Sequence, residues 1–280
     1  MFSRIQIIAA HCMAGQLKNG VQNGPLSILD NLRQKTKLNR VLTEYIYGTE
    51  FYRKKNNGYE QLYNKLVKIL NEGNYGLILG GDHSIAKASV AATIMKYREN
   101  THVVWVDAHA DIHTPETSIS GNEHGMPVSS LLGLSKLMSQ YKYKLNPSQL
   151  TYIGLRDVEP AETELIEDLN INMYTSEDVH SIGIETIMDE TMSRINNTTK
   201  VHLSFDLDAL DPEYIFSTGT LVEGGITFDD SIHIIERVSH NLVAADVVEL
   251  NPTIGNSHQV KYSVENASKI TEKILDAFRC

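Results

Sequence analysis

Short, nearly continuous apolar runs recur along the 280-residue chain and alternate with longer stretches of helical periodicity. Runs at 5–10, 43–47, 75–79, 102–106, 150–154, 171–174, 201–205 and 244–248 predict strands. Most are unbroken rather than alternating, the pattern of strands buried on both faces. Between them, apolar residues at helical spacing predict helices at 25–34, 59–71, 84–98, 160–169, 184–195, 229–239 and 263–278. This alternation predicts one domain over residues 1–280, a three-layer α/β/α arrangement around a mostly parallel sheet of about eight strands. No repeat or low-complexity tract interrupts it. Two long segments without a clear element, 112–127 and 209–225, follow predicted strands, where an open α/β sheet usually places its active site.

Composition adds constraints. Hydrophobic residues make up 41% of the chain and charged residues 21%, enough apolar material for a substantial core. Lys and Arg number 25 against 35 Asp and Glu, a formal charge of -10. Such a chain is repelled by nucleic-acid phosphates and by anionic membranes, so neither is an expected partner. Two cysteines, Cys12 and Cys280, are too few for a disulfide framework, which predicts a reducing compartment. The first apolar run is too short for a signal-peptide core or a membrane span. The expected location is the cytoplasm.

Three of the predicted strands end in unusual polar groups. The run 75–79 leads into Gly80-Gly81-Asp82-His83-Ser84, and 102–106 leads into Asp107-Ala108-His109-Ala110-Asp111. The run 201–205 leads into Asp206-Leu207-Asp208-Ala209-Leu210-Asp211-Pro212. Alone, each has an ordinary explanation: a helix cap, a solvated strand exit, an acidic turn. Together they are harder to dismiss, because carboxylates placed directly after buried strands cost several kcal/mol unless something compensates them. Four aspartates and two histidines converging at the carboxyl edge of a parallel sheet form a mixed imidazole–carboxylate cage suited to divalent transition metals.

In this order the motifs resemble those of the ureohydrolases, and within them the arginases. The resemblance covers essentially the whole chain. It includes Ser204–Pro212 (SFDLDALDP), an early turn at Gly20-Val21-Gln22-Asn23-Gly24-Pro25, and a late acidic motif at Glu249-Leu250-Asn251-Pro252. It implies a binuclear centre with two Mn2+ per subunit and homo-oligomers, trimers or hexamers. The implied reaction is hydrolysis of the guanidinium group of L-arginine to L-ornithine and urea by a metal-bridging hydroxide. The implied ligands are His83, Asp107, His109, Asp111, Asp206 and Asp208, and the implied catalytic set is His124, Glu249 and Asp111. The chemistry agrees with the residue types. A guanidinium carbon is a poor electrophile, and two metals sharing one water can generate hydroxide near neutral pH. Glu249, at another predicted strand end, can accept two parallel guanidinium N–H bonds. His124, in the match assigned to proton transfer, is a residue type that shuttles protons near neutrality. Thr220 matches a position near the guanidinium.

The loop 114–122 looks like the arginase segment that holds an amino-acid head group. Ser120 and Asn122 match positions that donate to its carboxylate. The segment 154–160 (GLRDVEP), with Asp157 and Glu159, matches the part that receives the α-amino group. Three positions depart from the arginase pattern: His113 replaces asparagine at a head-group position, Glu159 replaces aspartate, and Leu221 replaces proline. Read without the resemblance, His113, His180 and His202 are structural or surface histidines. L-Arginine is the expected substrate. The alternatives are another guanidino compound, agmatine or a guanidino acid, and a non-catalytic relative, against which the intact ligand set argues. No GxGxxG or GxxxxGK[ST] follows a strand, so a nucleotide-binding reading lacks its motif.

Overall fold

The computed structural model describes every residue except 1–3, 36, 37, 39, 40, 56, 136, 138–140 and 280, so Cys280 lies outside the described residues. Among the described residues there are eight strands: β1 Ile5–Ala10, β2 Leu42–Ile46, β3 Tyr75–Gly80, β4 Thr101–Val106, β5 Leu150–Leu155, β6 Asn172–Thr175, β7 Lys200–Asp206 and β8 Leu242–Val248. They form one sheet in the order β2-β1-β3-β8-β7-β4-β5-β6, with every neighbouring pair parallel. Each strand falls at a predicted run. Every residue of β4 and β8 is buried, which is why their sequences are mostly apolar, with Thr101, His102 and Asp246 as the buried polar exceptions.

Alternate strand residues feed two cores. Ile7, Leu77, Val104 and Leu203 pack on one face, together with Ile28, Ile187, Ile234 and Ile274. These come from α1 Gly24–Gln34, α7 Ile184–Ser193, α8 Phe228–Val238 and α9 Ser257–Ala277. Ile8, Ile78, Val103 and Trp105 pack on the other face, with Leu62, Val90, Val128 and Ile166. Those belong to α2 Gly58–Asn71, α3 Ala86–Tyr97, α4 Pro127–Leu132 and α5 Pro160–Asp168. The short α6 Ser176–Ile182 adds Val179 to the first core. The three predicted layers are present.

Several helix boundaries differ from expectation for local reasons. The predicted helix 84–98 begins instead as a tight turn, His83–Ile85, because the Asp82 carboxylate caps it by accepting from the Ser84 N–H at 3.0 Å. The last helix starts at Ser257 rather than 263. Asn256 caps it, accepting from the N–H groups of His258 and Gln259, both at 3.0 Å, while Gln259 accepts from Asn256 N–H at 2.8 Å. Neither α4 nor α6 was predicted, since six and seven residues are too few to display a helical period.

Register sets the site. Val106 pairs with Phe205, Phe205 with Val247, and Val247 with Leu79. The residues that follow therefore leave the four central strands at one level. Gly81 lets β3 turn closely past β1, since a Cβ there would sit 1.8 Å from the carbonyl oxygen of Cys12.

Candidate metal centre and substrate cleft

Two Asp/His groups lie side by side at the carboxyl ends of β3, β4 and β7. Nδ1 of His83 is 3.0 Å from Asp107 Oδ2, 3.1 Å from Asp111 Oδ2 and 3.2 Å from Asp206 Oδ2. Nδ1 of His109 is 3.4 Å from Asp107 Oδ1 and 3.3 Å from Asp208 Oδ2. Asp107 thus presents one oxygen to each group. All six predicted ligands are brought together, and the sets His83/Asp107/Asp111 and Asp107/His109/Asp208 each have ligand atoms within 4.8 Å of one another.

Local folding aims these side chains. Asp107 accepts from His109 N–H at 2.8 Å, and Asp206 accepts from Asp208 N–H at 2.8 Å. Each strand-end aspartate therefore folds the chain back so that the second ligand faces the same space. Asp111 takes a left-handed backbone, φ 53°, and turns the end of its segment inward. Trp105 donates to Asp107 Oδ2 at 2.9 Å and stacks on the His83 ring, centroids 4.2 Å apart. Nε2 of His83 bonds Ser204 Oγ at 2.9 Å. Ser204 and His202 both donate to Asp246 Oδ2, at 3.4 and 3.0 Å, and Ser89 donates to it at 2.7 Å. Arg156 holds the other flank, donating to the carbonyls of Asp208, Ala209 and Val222 at 2.6, 3.0 and 2.8 Å.

The residues fit a pair of cations. Nδ1 of His83 is buried and accepts or donates no hydrogen bond, although its ring is fixed by Ser204 at the other nitrogen. A lone pair aimed at three carboxylates is repulsive unless a cation lies among them. The proton affinities say the same. Burial pushes Asp206 well up, with Asp208 and Asp107 adding to it; burial and Asp107 raise Asp111 to about 7. Burial alone would depress His83 and His109, yet the surrounding carboxylates drive both up. The cluster draws positive charge, and mixed carboxylate and imidazole donors suit a hard-to-borderline divalent metal such as manganese.

Beside this cluster, Glu249 follows β8 with a left-handed backbone, φ 67°. Its Oε1 accepts from the backbone N–H of His83 at 2.9 Å and meets Nδ1 of His124 at 3.2 Å. Gln16 Nε2 donates to both of its oxygens, at 3.1 and 2.8 Å. Burial opposes ionisation of Glu249, but His124 and these donors outweigh it and hold the carboxyl below its ordinary range. In turn, burial would lower His124, but Glu249 and the aspartates raise it to about 9.

A cleft of about 230 Å³ runs outward from this floor. That is below the roughly 300–1,000 Å³ of sites for drug-sized ligands, so it suits one slender molecule. Thr220 and His124 line its wall. His113, Ser120, Asp157, Glu159 and Glu162 also line it, with Asp157 and Glu159 at least half exposed and Asp157 Oδ2 3.5 Å from Nε2 of His109. Nε2 of His113 is 3.5 Å from Glu159 and 3.6 Å from Glu162. The backbone N–H of Asn122 donates to Ser120 Oγ at 3.2 Å. His202 and His180 are structural, the first wholly buried and the second bonding the Gly225 carbonyl at 3.2 Å.

Gln16, Arg156, Glu162 and Asp246 belong to this site and were missed from sequence. Glu162 carried a signal as an N3 acid after Glu159 and Pro160, the spacing of the capping box observed there, and Arg156 stood inside the motif at 154–160.

An eight-stranded parallel sheet carrying two Asp/His groups that share a carboxylate defines an α/β protein with a candidate metal site at its switch region. The Arginase family model matches residues 3–275, and the chain belongs to the arginase family. It is 41% identical over 208 residues to the arginase of Coccidioides immitis (strain RS), an alignment covering 70% of this chain. The chain spans 65% of the length of that curated relative. Crystal structures of the arginases from Bacillus subtilis and Entamoeba histolytica, the latter in complex with L-ornithine, each superpose with a TM-score of 0.87 at 31% identity, covering 98% of both chains. A formimidoylglutamase from Bacillus subtilis, at 18% identity and a TM-score of 0.80, shares the fold.

Proposed function

We propose that the chain is a manganese-dependent arginase that hydrolyses L-arginine to L-ornithine and urea. The observation that carries this reading is the Asp107 carboxylate divided between two histidine-centred groups, with Glu249 hydrogen-bonded into the same floor. Two divalent cations held by His83, Asp107, His109, Asp111, Asp206 and Asp208 would lower the pKa of a shared water and neutralise the buried aspartates. The chain's own residues supply the rest. Glu249, kept ionised, takes the guanidinium N–H groups as a bidentate acceptor and fixes the electrophilic carbon over the floor. Thr220 lines the cleft close to it. Asp111, 3.1 Å from Nδ1 of His83 on that floor, is placed to accept the proton of the attacking water. His124, with Nδ1 engaged by Glu249, has Nε2 to donate to the departing amine when the ring is protonated. At the outer end, Asp157, Glu159 and Glu162 complement an ammonium group, while Ser120 and His113 offer hydrogen bonds to a carboxylate.

The pairing of His113 with Glu159 and Glu162 favours one second reading, a guanidino compound with a different head group. The two separate by kcat/KM. The manganese-loaded protein should release urea from L-arginine at least about 10²-fold more efficiently than from agmatine, whose missing carboxylate leaves the outer donors unpaired. Comparable efficiencies would keep guanidine hydrolysis and reject arginine as its substrate. Cytoplasmic residence and assembly into trimers or hexamers go with this proposal. Among the described residues no helix is long and apolar enough to cross a membrane.

A further inference from the structure

Lys87 lies in α3, four residues beyond His83, and its side chain is 3% exposed. A buried ammonium is costly without partners. This one has two: its Nζ forms an ion pair with Glu123 and stands 4.0 Å from the centroid of the Tyr59 ring. Tyr59 is itself fixed, its hydroxyl bonding Ser84 Oγ at 2.8 Å beside the metal-ligand turn. Glu123 opens the tight turn Glu123–Gly125, which carries His124.

That turn bears on three functional residues. The His124 N–H donates to the Gly15 carbonyl at 3.0 Å, and the Gly125 carbonyl accepts from His113 N–H at 3.1 Å. Three residues on, Val128 N–H donates to the Asp111 carbonyl at 3.0 Å. These tethers are all backbone bonds. Lys87 is the charged side chain that holds the turn from the helix side.

We propose that Lys87 and Glu123 are a positioning pair that sets the aim of the His124 imidazole across the cleft. Neither touches reacting atoms. The catalytic consequence rests on the reading of His124 as the proton donor. Because Lys87 is buried and Glu123 is 40% exposed, the two halves of the pair are not equivalent. Removing Glu123 strands a buried cation, whereas removing Lys87 leaves a carboxylate that water can solvate.

The test uses full-length, manganese-loaded Lys87→Met, Glu123→Gln and the double variant Lys87→Met/Glu123→Met. Lys87→Met should retain the wild-type manganese content and lose about tenfold in kcat with little change in KM, the signature of a misplaced proton donor. Glu123→Gln should lose at least as much. The apolar pair should recover to within about threefold of wild type, because an interlocking apolar contact can hold the turn in place of the ion pair. A readout independent of turnover, taken on the metal-free full-length protein because Mn2+ would broaden nearby protons beyond detection, is the Nδ1 proton resonance of His124, the atom that meets Glu249. It should shift or broaden in Lys87→Met and return in the double variant, whichever guanidine the wild type hydrolyses. Unchanged kcat and an unchanged His124 resonance in Lys87→Met would overturn the proposal. Loss of manganese in that variant would do so as well, since the pair would then act on the metal ligands. A wild type that releases no urea, with the resonance still shifting, would reject the arginase reading and leave the positioning role standing.

Discussion

Oε1 of Glu249 lies 3.2 Å from Nδ1 of His124, joining the end of β8 to a loop that leaves β4. Each residue sets the charge of the other. Glu249 lifts His124 to about 9, and His124 is the largest influence holding Glu249 ionised against its burial. The proposed substrate anchor and the proposed proton donor are therefore one electrostatic unit.

The pair gives a pH prediction for metal-free protein. The folded value of His124, about 9, lies above its ordinary 6.5. Its contribution to stability is complete below about 6.5 and disappears as pH rises through about 9. Glu249→Gln removes the partner, so the wild type should melt higher than the variant at pH 6, with the gap shrinking toward pH 10. A gap that stays constant across that range contradicts the pairing.

The shared carboxylate predicts unequal effects on metal content. Asp107→Ala takes an oxygen from both groups and should leave well under one manganese per chain. His109→Ala strips only one group and should leave about one. Elemental analysis of the purified variants checks this, and equal losses from the two substitutions would argue against a bridging role for Asp107.

His124→Asn addresses proton transfer. Nδ1 of His124 meets Glu249, and no ligand aspartate hydrogen-bonds its ring. Manganese content should therefore hold while kcat falls by roughly 10²–10⁴, the usual cost of losing a general acid or base. Loss of a metal in this variant would show that His124 supports the ligand set rather than the chemistry.

Specificity is tested at the outer end. His113→Asn with Glu159→Asp should lower KM for L-arginine and change kcat little, since both positions lie away from the guanidinium end of the cleft. Glu162, nearly buried and accepting from Ile112 N–H at 3.3 Å, should matter more than the half-exposed Glu159. Glu162→Gln is expected to raise KM for arginine more than Glu159→Gln does. The reverse order would place the ammonium at Glu159.

The strands were legible because strands buried on both faces leave unbroken apolar runs, and the candidate Asp/His cluster because each of its motifs sits in one short segment after such a run. What escaped was non-local. Gln16 meets Glu249 from 233 positions away in the chain, and a loop glutamine by itself signals nothing. Asp246 was hidden inside the apolar run 244–248, although it is wholly buried and accepts from Ser89, Ser204 and His202. Arg156 stood in a recognisable motif, but its targets are backbone carbonyls of another loop, which no side-chain pattern reveals.

The most direct test of the two-cation arginase account is a metal titration of urea release. Chelated protein is loaded stepwise with Mn2+ and supplied with L-arginine, and urea is measured at each loading. The account predicts negligible urea from metal-free protein and a rise that levels off near two manganese ions per chain. Full urea release without metal, or none at any loading, would contradict it.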